Sequence, residues 1–311
     1  MTAGEAASDA GKTSRDESAI LGRIAGEMRK QLAGSLAPGL YVIATPIGNL
    51  GDMTLRAVAT LARADIILCE DTRHSRTLLA HFAIDVPTRP YHEHNAARER
   101  PRVLSELAAG RRIALISDAG TPLISDPGWK LVREAVDAGH HVEALPGASA
   151  TLTALAIGGL PTDAFMFAGF LPPKTVSRRT RIAELATVPA TLVFFEAPTR
   201  AAEAIADLAA VLGPRPAALA RELTKLHEEV RRGPLDKLAA ELVDATIKGE
   251  AVILVGPPQQ VDVSDEDIAA RLADALATMS LRDAAKAIAD ALGVPKSRVY
   301  DLGLKLRKDA P

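Results

Sequence analysis

The sequence predicts an α/β protein of two domains with a small helical appendage at its C-terminal end. Short apolar runs at residues 40–44, 65–69, 113–116 and 141–145 alternate with segments whose apolar residues recur at helical spacing. That is the pattern of a parallel sheet buried on both faces. Polar segments containing glycine follow several of these runs, at the strand ends where open parallel sheets bind ligands. The texture changes after GGLPTDA, residues 158–164, where a domain boundary is expected.

Composition narrows the function classes. The 311 residues fit two domains plus an appendage, and 48% hydrophobic content supports sizeable cores. No apolar run approaches the roughly 18 residues that span a membrane. The polar first 37 residues lack the apolar core of a secretory signal, so a cytoplasmic location and no membrane partner are expected. Cys69 is the single cysteine, which excludes a disulfide framework and a Cys-based zinc site and reads as a buried, inert thiol. A net charge of −2 confines any nucleic-acid contact to local patches, and 3% aromatic content disfavours recognition by stacked bases.

Residues 1–38 read as a flexible leader, with some helical spacing over residues 20–32. The first α/β domain is expected over residues 39–158. Its first strand, residues 40–44, runs into TPIGNLGD, and Asp52 or Thr54 can cap the helix that follows. That helix, residues 54–64, places Leu55, Val58, Ala59 and Leu61 on one face. The strand at 65–69 ends in EDTRHS, residues 70–75. A helix through 78–82 and a short extended piece lead to YHEHN, residues 91–95, and a helix reaching 109. The strand at 113–116 ends in SDAGTPLISDPG, residues 117–128. A helix over 129–138 precedes the strand at 141–145, which ends in LPGASA, residues 145–150, and a helix to about 157. The second α/β domain, residues 159–258, is expected to hold strands at 165–170, 191–195, 217–221, 228–232 and 251–255 in mixed pairing. A basic loop and helix follow the first of these, and further helices are expected after 198 and over 235–243. In the tail, residues 264–311, three helices are expected at 268–276, 281–292 and 297–307. Residues 283–300 resemble a helix-turn-helix, with Ala284, Ala285 and Ile288 facing inward and Gly293-Val294 at the turn.

The turn at residues 45–52 is the place to test for a nucleotide grip. No lysine follows Gly48 or Gly51, so it is not a P-loop. The dinucleotide fingerprint is incomplete at Gly48-x-x-Gly51, although Glu70 or Asp71 stands where the ribose-binding acid would, so a nicotinamide enzyme remains a rival. Gly120 and Thr121 offer close backbone approach and a hydroxyl.

Read in order, TPIGNLGD, EDTRHS, HEHN, SDAGTPLISDPG, LPGASA, FFEAP and RELTKLHEE resemble the tetrapyrrole-methylase-like (class III) S-adenosylmethionine methyltransferases over residues 40–256. Of these, EDTRHS and HEHN resemble the RNA-modifying branch more than the corrinoid one. The resemblance implies two α/β domains of the tetrapyrrole methylase type with the cofactor cleft between them, a homodimer, and S-adenosyl-L-methionine as cofactor. It further implies methylation of the ribose 2′-oxygen of a cytidine in the decoding region of small-subunit ribosomal RNA, either free or in the assembled subunit. It assigns Gly120, Thr121, Ile124 and Ser125 to the methionine end and ribose of the cofactor. Pro146, Gly147, Ser149 and Ala150 stand at the next strand end, Phe195 and Glu196 close on the adenine, and Pro46 and Gly48 lie beside the methyl donor.

A ribose hydroxyl is a poor nucleophile and gains from a base or a polarising cation. Arg73 and His74 in EDTRHS and His92, Glu93 and His94 in HEHN are the candidates, with Arg73 and His94 preferred. His92 and His94 are two apart rather than at the i, i+4 spacing of a helical metal pair, so no metal site is expected. Asp118 and Asp126 suit an Asx-turn or a helix cap. Lys174, Arg178, Arg179 and Arg181 form an acid-free basic stretch suited to RNA phosphates. The tail adds seven basic residues against four acidic ones over residues 281–311. The competing readings are a methylase of a tetrapyrrole or corrinoid precursor and a non-catalytic nucleic-acid-binding regulator.

Overall fold

The computed structural model describes residues 3–243, 247–258 and 264–309, except for the side chains of 3–15 and 307–309. The chain divides into two compact units, residues 1–256 and 257–311.

The first unit contains two five-stranded sheets. One is wholly parallel, built from β1 (Gly39–Ile43), β2 (Ile66–Cys69), β3 (Thr88–Pro90), β4 (Arg112–Ile116) and β5 (Val142–Leu145) in the order β3-β2-β4-β1-β5. Successive side chains on a strand point to opposite faces, and here both faces are covered. Tyr41, Ile43, Ile67 and Ile116 pack with α2 (Leu55–Arg63) and α3 (Thr72–His81). Leu40, Leu68, Ile113 and Leu115 pack with α4 (Ala96–Ala108) and α5 (Trp129–Asp137). This double burial is why the strands read as unbroken apolar runs. Cys69 is fully buried, and burial raises its thiol pKa, consistent with an inert thiol.

After α6 (Ala150–Gly158) the chain enters the second sheet. It consists of β6 (Phe165–Phe170), β7 (Thr191–Glu196), β8 (Pro216–Arg221), β9 (Glu229–Pro234) and β10 (Ala251–Val255) in the order β6-β7-β10-β8-β9. Only β6 and β7 are parallel, which gives the mixed pairing expected from the sequence. One face carries α7 (Thr175–Glu184), α8 (Pro198–Leu212) and α9 (Leu235–Glu241). The other face packs on α6 and on Ile47 from the turn after β1, so this face and the loops of the first sheet share one apolar cluster.

Residues 3–33 depart from the flexible leader expected of them: they form the helix α1 (Ala3–Ala33). The first proline of the chain is Pro38, and the segment is rich in alanine and straight-chain charged residues, which favour helix. Its end is tied down. Arg63 Nη1 donates to the Gln31 carbonyl, Met28 and Leu36 pack on the cluster beneath α2, and the Tyr41 hydroxyl donates to the Ala37 carbonyl at 2.7 Å.

The second unit is a three-helix cluster of α10 (Asp265–Leu276), α11 (Leu281–Leu292) and α12 (Lys296–Asp309). Ser264 and Ser280 cap α10 and α11, each accepting a backbone N–H three residues on. Ala284, Ala285 and Ile288 are buried, and Gly293 ends α11 in the left-handed conformation at φ 64°, as the helix-turn-helix reading requires.

Candidate active site

β4, β1 and β5 are adjacent in the parallel sheet, so the loops after them share one rim. Backbone bonds lock the first two loops together: Thr45 N donates to Gly120 O at 2.9 Å and Gly120 N donates back to Thr45 O at 3.0 Å. The Thr45 hydroxyl, almost fully buried, donates to Ser117 O at 3.1 Å. Gly120 sits at φ +78°, a conformation that side chains disfavour, and an added Cβ would press on Ile47. Thr121 Oγ1 donates to Ala148 O at 3.3 Å and ties in the third loop.

This rim and the end of β7 enclose a cavity with about 770 Å³ of free space, counting its mouth. Gly120, Thr121, Ile124, Ser149, Ala150, Phe195 and Glu196, all assigned to the cofactor from sequence, line it. Ser149 caps α6 by accepting from Leu152 N, and the next two residues of that turn, Ala150 and Thr151, line the cavity, where first-turn N–H groups have no partner within the helix. Thr151, in that turn, lines the cavity with a buried hydroxyl that has no hydrogen-bond partner. Phe195 meets Phe167 and Phe170 edge to face, with centroids 4.8 and 5.8 Å away, and Phe170 is exposed at the cavity wall. Burial raises the Glu196 pKa against the opposing effects of the Ala197 N–H and Arg200. Both its oxygens are engaged, with Ala197 N at 2.9 Å and Arg200 Nη2 at 3.3 Å.

A second cavity, with about 1000 Å³ of free space, adjoins the first through the shared residues Ile47, Ala119 and Glu250. Pro46 and Gly48 line it, as do His74, Ser75, Thr77, Asp118 and Lys225. Asp118 accepts Asp71 N at 3.1 Å and so joins the loops after β2 and β4.

Several sequence-assigned residues lie elsewhere. Ser125, Pro146 and Gly147 do not line either cavity. Arg73 is also outside both; it is exposed and 3.5 Å from Asp71. One residue along a helix turns the side chain by about 100°, and on α3 it is His74, with Thr77 and Leu78 at i+3 and i+4, that faces the cavity. His94 is exposed and lies edge-on to His92 at 6.0 Å, outside both cavities. HEHN follows β3, the edge strand, and its Asn95 accepts His92 N and donates to Pro90 O, each at 2.9 Å, so the motif shapes the entry to α4. Asp126 does not cap α5, whose N-cap is Gly128. Burial, followed by Glu70 and Asp118, pushes the Asp126 carboxyl up to about 6.

The basic stretch also differs from its expectation. Arg178, Arg179 and Arg181 stand on α7 rather than on a loop. Arg178 is 2% exposed, with Nε on Asp207 Oδ2 at 2.6 Å and Nη2 on Glu203 at 3.3 Å, so it is a buried structural cation and cannot reach an RNA phosphate. Arg179 shares Asp207 at 2.7 Å but is half exposed, Arg181 pairs with Glu184 at 2.8 Å, and Lys174 is exposed at the N-cap. In the tail, Arg282, Lys286, Lys296 and Lys305 are exposed, and the half-buried Arg298 is bound to Asp265 at 2.7 Å. Arg307 and Lys308 lie outside the described side chains.

Thr151, Phe170, Ile47, Lys225 and Glu250 were not singled out by the sequence. The motif containing Lys225, RELTKLHEE, signals a site without naming the working residue.

The chain belongs to the tetrapyrrole (corrin/porphyrin) methylase family, whose model matches residues 39–239. A second model, the RsmI C-terminal HTH domain, matches residues 262–307. Over most of its length the chain is similar to proteins named ribosomal RNA small subunit methyltransferase I. That of Mesorhizobium japonicum is 50% identical over 277 residues, 88% of this chain and 94% of the relative. That of Pseudomonas aeruginosa is 44% identical over 273 residues, 86% of this chain and 96% of the relative. Among solved structures, uroporphyrin-III-C-methyltransferase from Thermus thermophilus shares the fold at a TM-score of 0.52 and 22% identity, covering 70% of this chain and 94% of that one. Its complex with S-adenyl homocysteine aligns at a TM-score of 0.50 and 21% identity, covering 70% and 97%.

Proposed function

We propose that this chain methylates a ribose 2′-oxygen of small-subunit ribosomal RNA, at a cytidine of the decoding region, using S-adenosyl-L-methionine. The observation that carries the reading is the pair of adjoining cavities, in a chain 50% identical over most of its length to a small-subunit ribosomal RNA methyltransferase. The first cavity suits the cofactor. Its walls are apolar and aromatic, as an adenosine requires, and the buried, unpartnered Thr151 hydroxyl offers a donor and an acceptor. Gly120, Thr121 and Ile124 hold the methionine end and ribose, the first turn of α6 offers N–H groups to the carboxylate, and Phe195 faces the adenine.

When bound, the cofactor supplies a methyl group already activated by its sulfonium, so orientation carries much of the rate, about 7–11 kcal/mol in well-aligned systems. The second cavity takes the acceptor nucleotide, and His74 on its wall accepts the hydroxyl proton. Lys174, Arg179 and Arg181 on the second sheet's side, together with the exposed bases of the tail, supply phosphate contacts. The working form is a homodimer, for which sedimentation at micromolar concentration is the check.

The test is transfer of labelled methyl from S-adenosylmethionine to unmodified small-subunit RNA and to assembled subunits, with the labelled nucleoside identified after digestion. Label on a 2′-O-methylcytidine is expected. No label on either RNA form, with label on a corrinoid precursor, overturns the reading in favour of a tetrapyrrole methylase.

A further inference from the structure

The loop after β8 places Lys225 against the turn after β1, and several independent features hold it there. Glu222 and Thr224, three residues and one residue before it, adopt φ values of 50° and 65°, which are uncommon for residues other than glycine. Thr224 Oγ1 accepts Asn49 N at 3.1 Å, and Thr224 N donates to Glu228 at 2.7 Å. The Lys225 stem lies over Gly48, where an added Cβ would overlap Lys225 Cγ. Gly249, at φ +79°, leaves its Cβ position to the Glu222 carboxylate. Strained backbone persists where surrounding contacts over-determine it, and it collects at functional sites.

These features fix one ammonium. Lys225 Nζ donates to Glu222 Oε1 at 2.9 Å and to Glu250 Oε2 at 3.3 Å. An ammonium has three N–H donors, so two carboxylates leave one for a ligand oxygen. Burial works against the charge, but Glu222 and Glu250 outweigh it and raise the pKa, so the group is a cation at neutral pH and not a proton acceptor. Lys225 lines the second cavity, and its partner Glu250 lines both cavities where they meet.

We propose that Lys225 is a catalytic residue that donates a hydrogen bond to the acceptor 2′-oxygen and stabilises the negative charge that develops there. The proposal rests on the ribose-methylation reading above. In the transfer, the O–CH3 bond forms as the S–CH3 bond breaks, and the hydroxyl proton passes to His74 and then to water. Neutral S-adenosylhomocysteine and the 2′-O-methyl nucleotide result. Lys225 is unchanged at the end, and its charge matters only while the oxygen is partly deprotonated. Its loss therefore lowers the rate at saturating substrates, not the binding of either one.

The test compares wild type, Lys225→Met and Lys225→Arg in the full chain. It measures S-adenosylmethionine binding by calorimetry, RNA binding, and single-turnover methyl transfer to assembled small subunits. Lys225→Met is expected to bind both ligands within about twofold of wild type and to lose about 100-fold or more in single-turnover rate, as for removal of one oxyanion donor. Lys225→Arg should recover part of that loss. Gly48→Ala keeps the charge but displaces the lysine stem, and should slow transfer in the same direction. A rate within threefold of wild type overturns the proposal. So does a loss that disappears at saturating RNA, which would make Lys225 a phosphate grip, or a rate loss matched by equal loss of cofactor binding and thermal stability. A wild-type chain that labels corrinoid precursor and no RNA overturns the ribose reading together with the proposal, whereas a wild-type label with an active Lys225→Met removes the proposal alone.

Discussion

Replacing Arg178 with alanine separates a structural cation from an RNA contact. The guanidinium is 2% exposed and makes three bonds, to Asp207 Oδ2 at 2.6 Å, Pro173 O at 3.2 Å and Glu203 Oε2 at 3.3 Å. Asp207 is itself 3% exposed. Removing one partner of a buried ion pair leaves an uncompensated charge and costs about 3–5 kcal/mol. Here Arg179 Nε stays on Asp207 Oδ1 at 2.7 Å, which places the cost at the lower end, about 3 kcal/mol. At roughly 2–4 °C per kcal/mol for a unit of this size, the melting temperature should fall by roughly 6–12 °C. Calorimetric unfolding of the full chain measures it. The same preparation, held below its transition, should bind small-subunit RNA with the wild-type affinity and salt slope, because a phosphate cannot reach a buried side chain. Replacing Lys174, Arg179 and Arg181 together should instead lower affinity and reduce the slope of log K against log salt by up to about 3. An Arg178→Ala chain that melts like wild type and loses RNA affinity with a shallower salt slope would refute the reasoning.

Three other outcomes follow from named contacts. Asp126 has a folded pKa of about 6 against about 3.9 unfolded, so between those pH values the folded chain retains a proton that the unfolded chain has lost. Stability therefore falls as pH rises through that window, by up to about 3 kcal/mol. Asp126→Asn should match wild type near pH 3.5 and exceed it above pH 6.5 in urea unfolding; equal stability at pH 8 counts against it. Gly120→Ala, at φ +78°, should cost about 1–2 kcal/mol in stability and weaken S-adenosylmethionine binding in calorimetry. Ser280→Ala removes the acceptor for Asp283 N and should lower the stability of the helical tail by about 1 kcal/mol, read by hydrogen exchange over α11.

Features that the chain encodes locally were legible in the sequence. The strands of the parallel sheet are buried on both faces, so residues 40–44 and 113–116 read as unbroken apolar runs. The tail helices carry their own signals in Ser280 and Gly293. The rim of the first cavity was legible for the same reason: loops that line a cleft follow strand ends, and Gly120, Thr121, Ser149 and Ala150 occupy those ends. What failed depended on spatial order. HEHN follows a strand end like the others, but β3 is the sheet edge, separated from β1 by both β2 and β4. Arg178 sits in an acid-free stretch of sequence, yet its partners Glu203 and Asp207 arrive from α8, 25 and 29 residues later. Arg73 and His74 are neighbours in one motif, and only the helix phase separates them.

Phase and order also explain why the turn after β1 matters more than its incomplete glycine pattern suggests. Through Thr45 it is bonded to Gly120 on the rim of the first cavity, and through Asn49 to Thr224 of the loop that carries Lys225. Ile47 between them is buried in the cluster shared with the second sheet and lines both cavities. A turn held at both ends in this way cannot shift toward one ligand without moving the wall of the other. Substitution at Ile47 should therefore alter cofactor affinity and acceptor turnover together. At Thr151, which touches only the first cavity, substitution should alter cofactor affinity alone. Under the proposed function, such a turn fixes the distance between the methyl donor in the first cavity and the acceptor oxygen in the second.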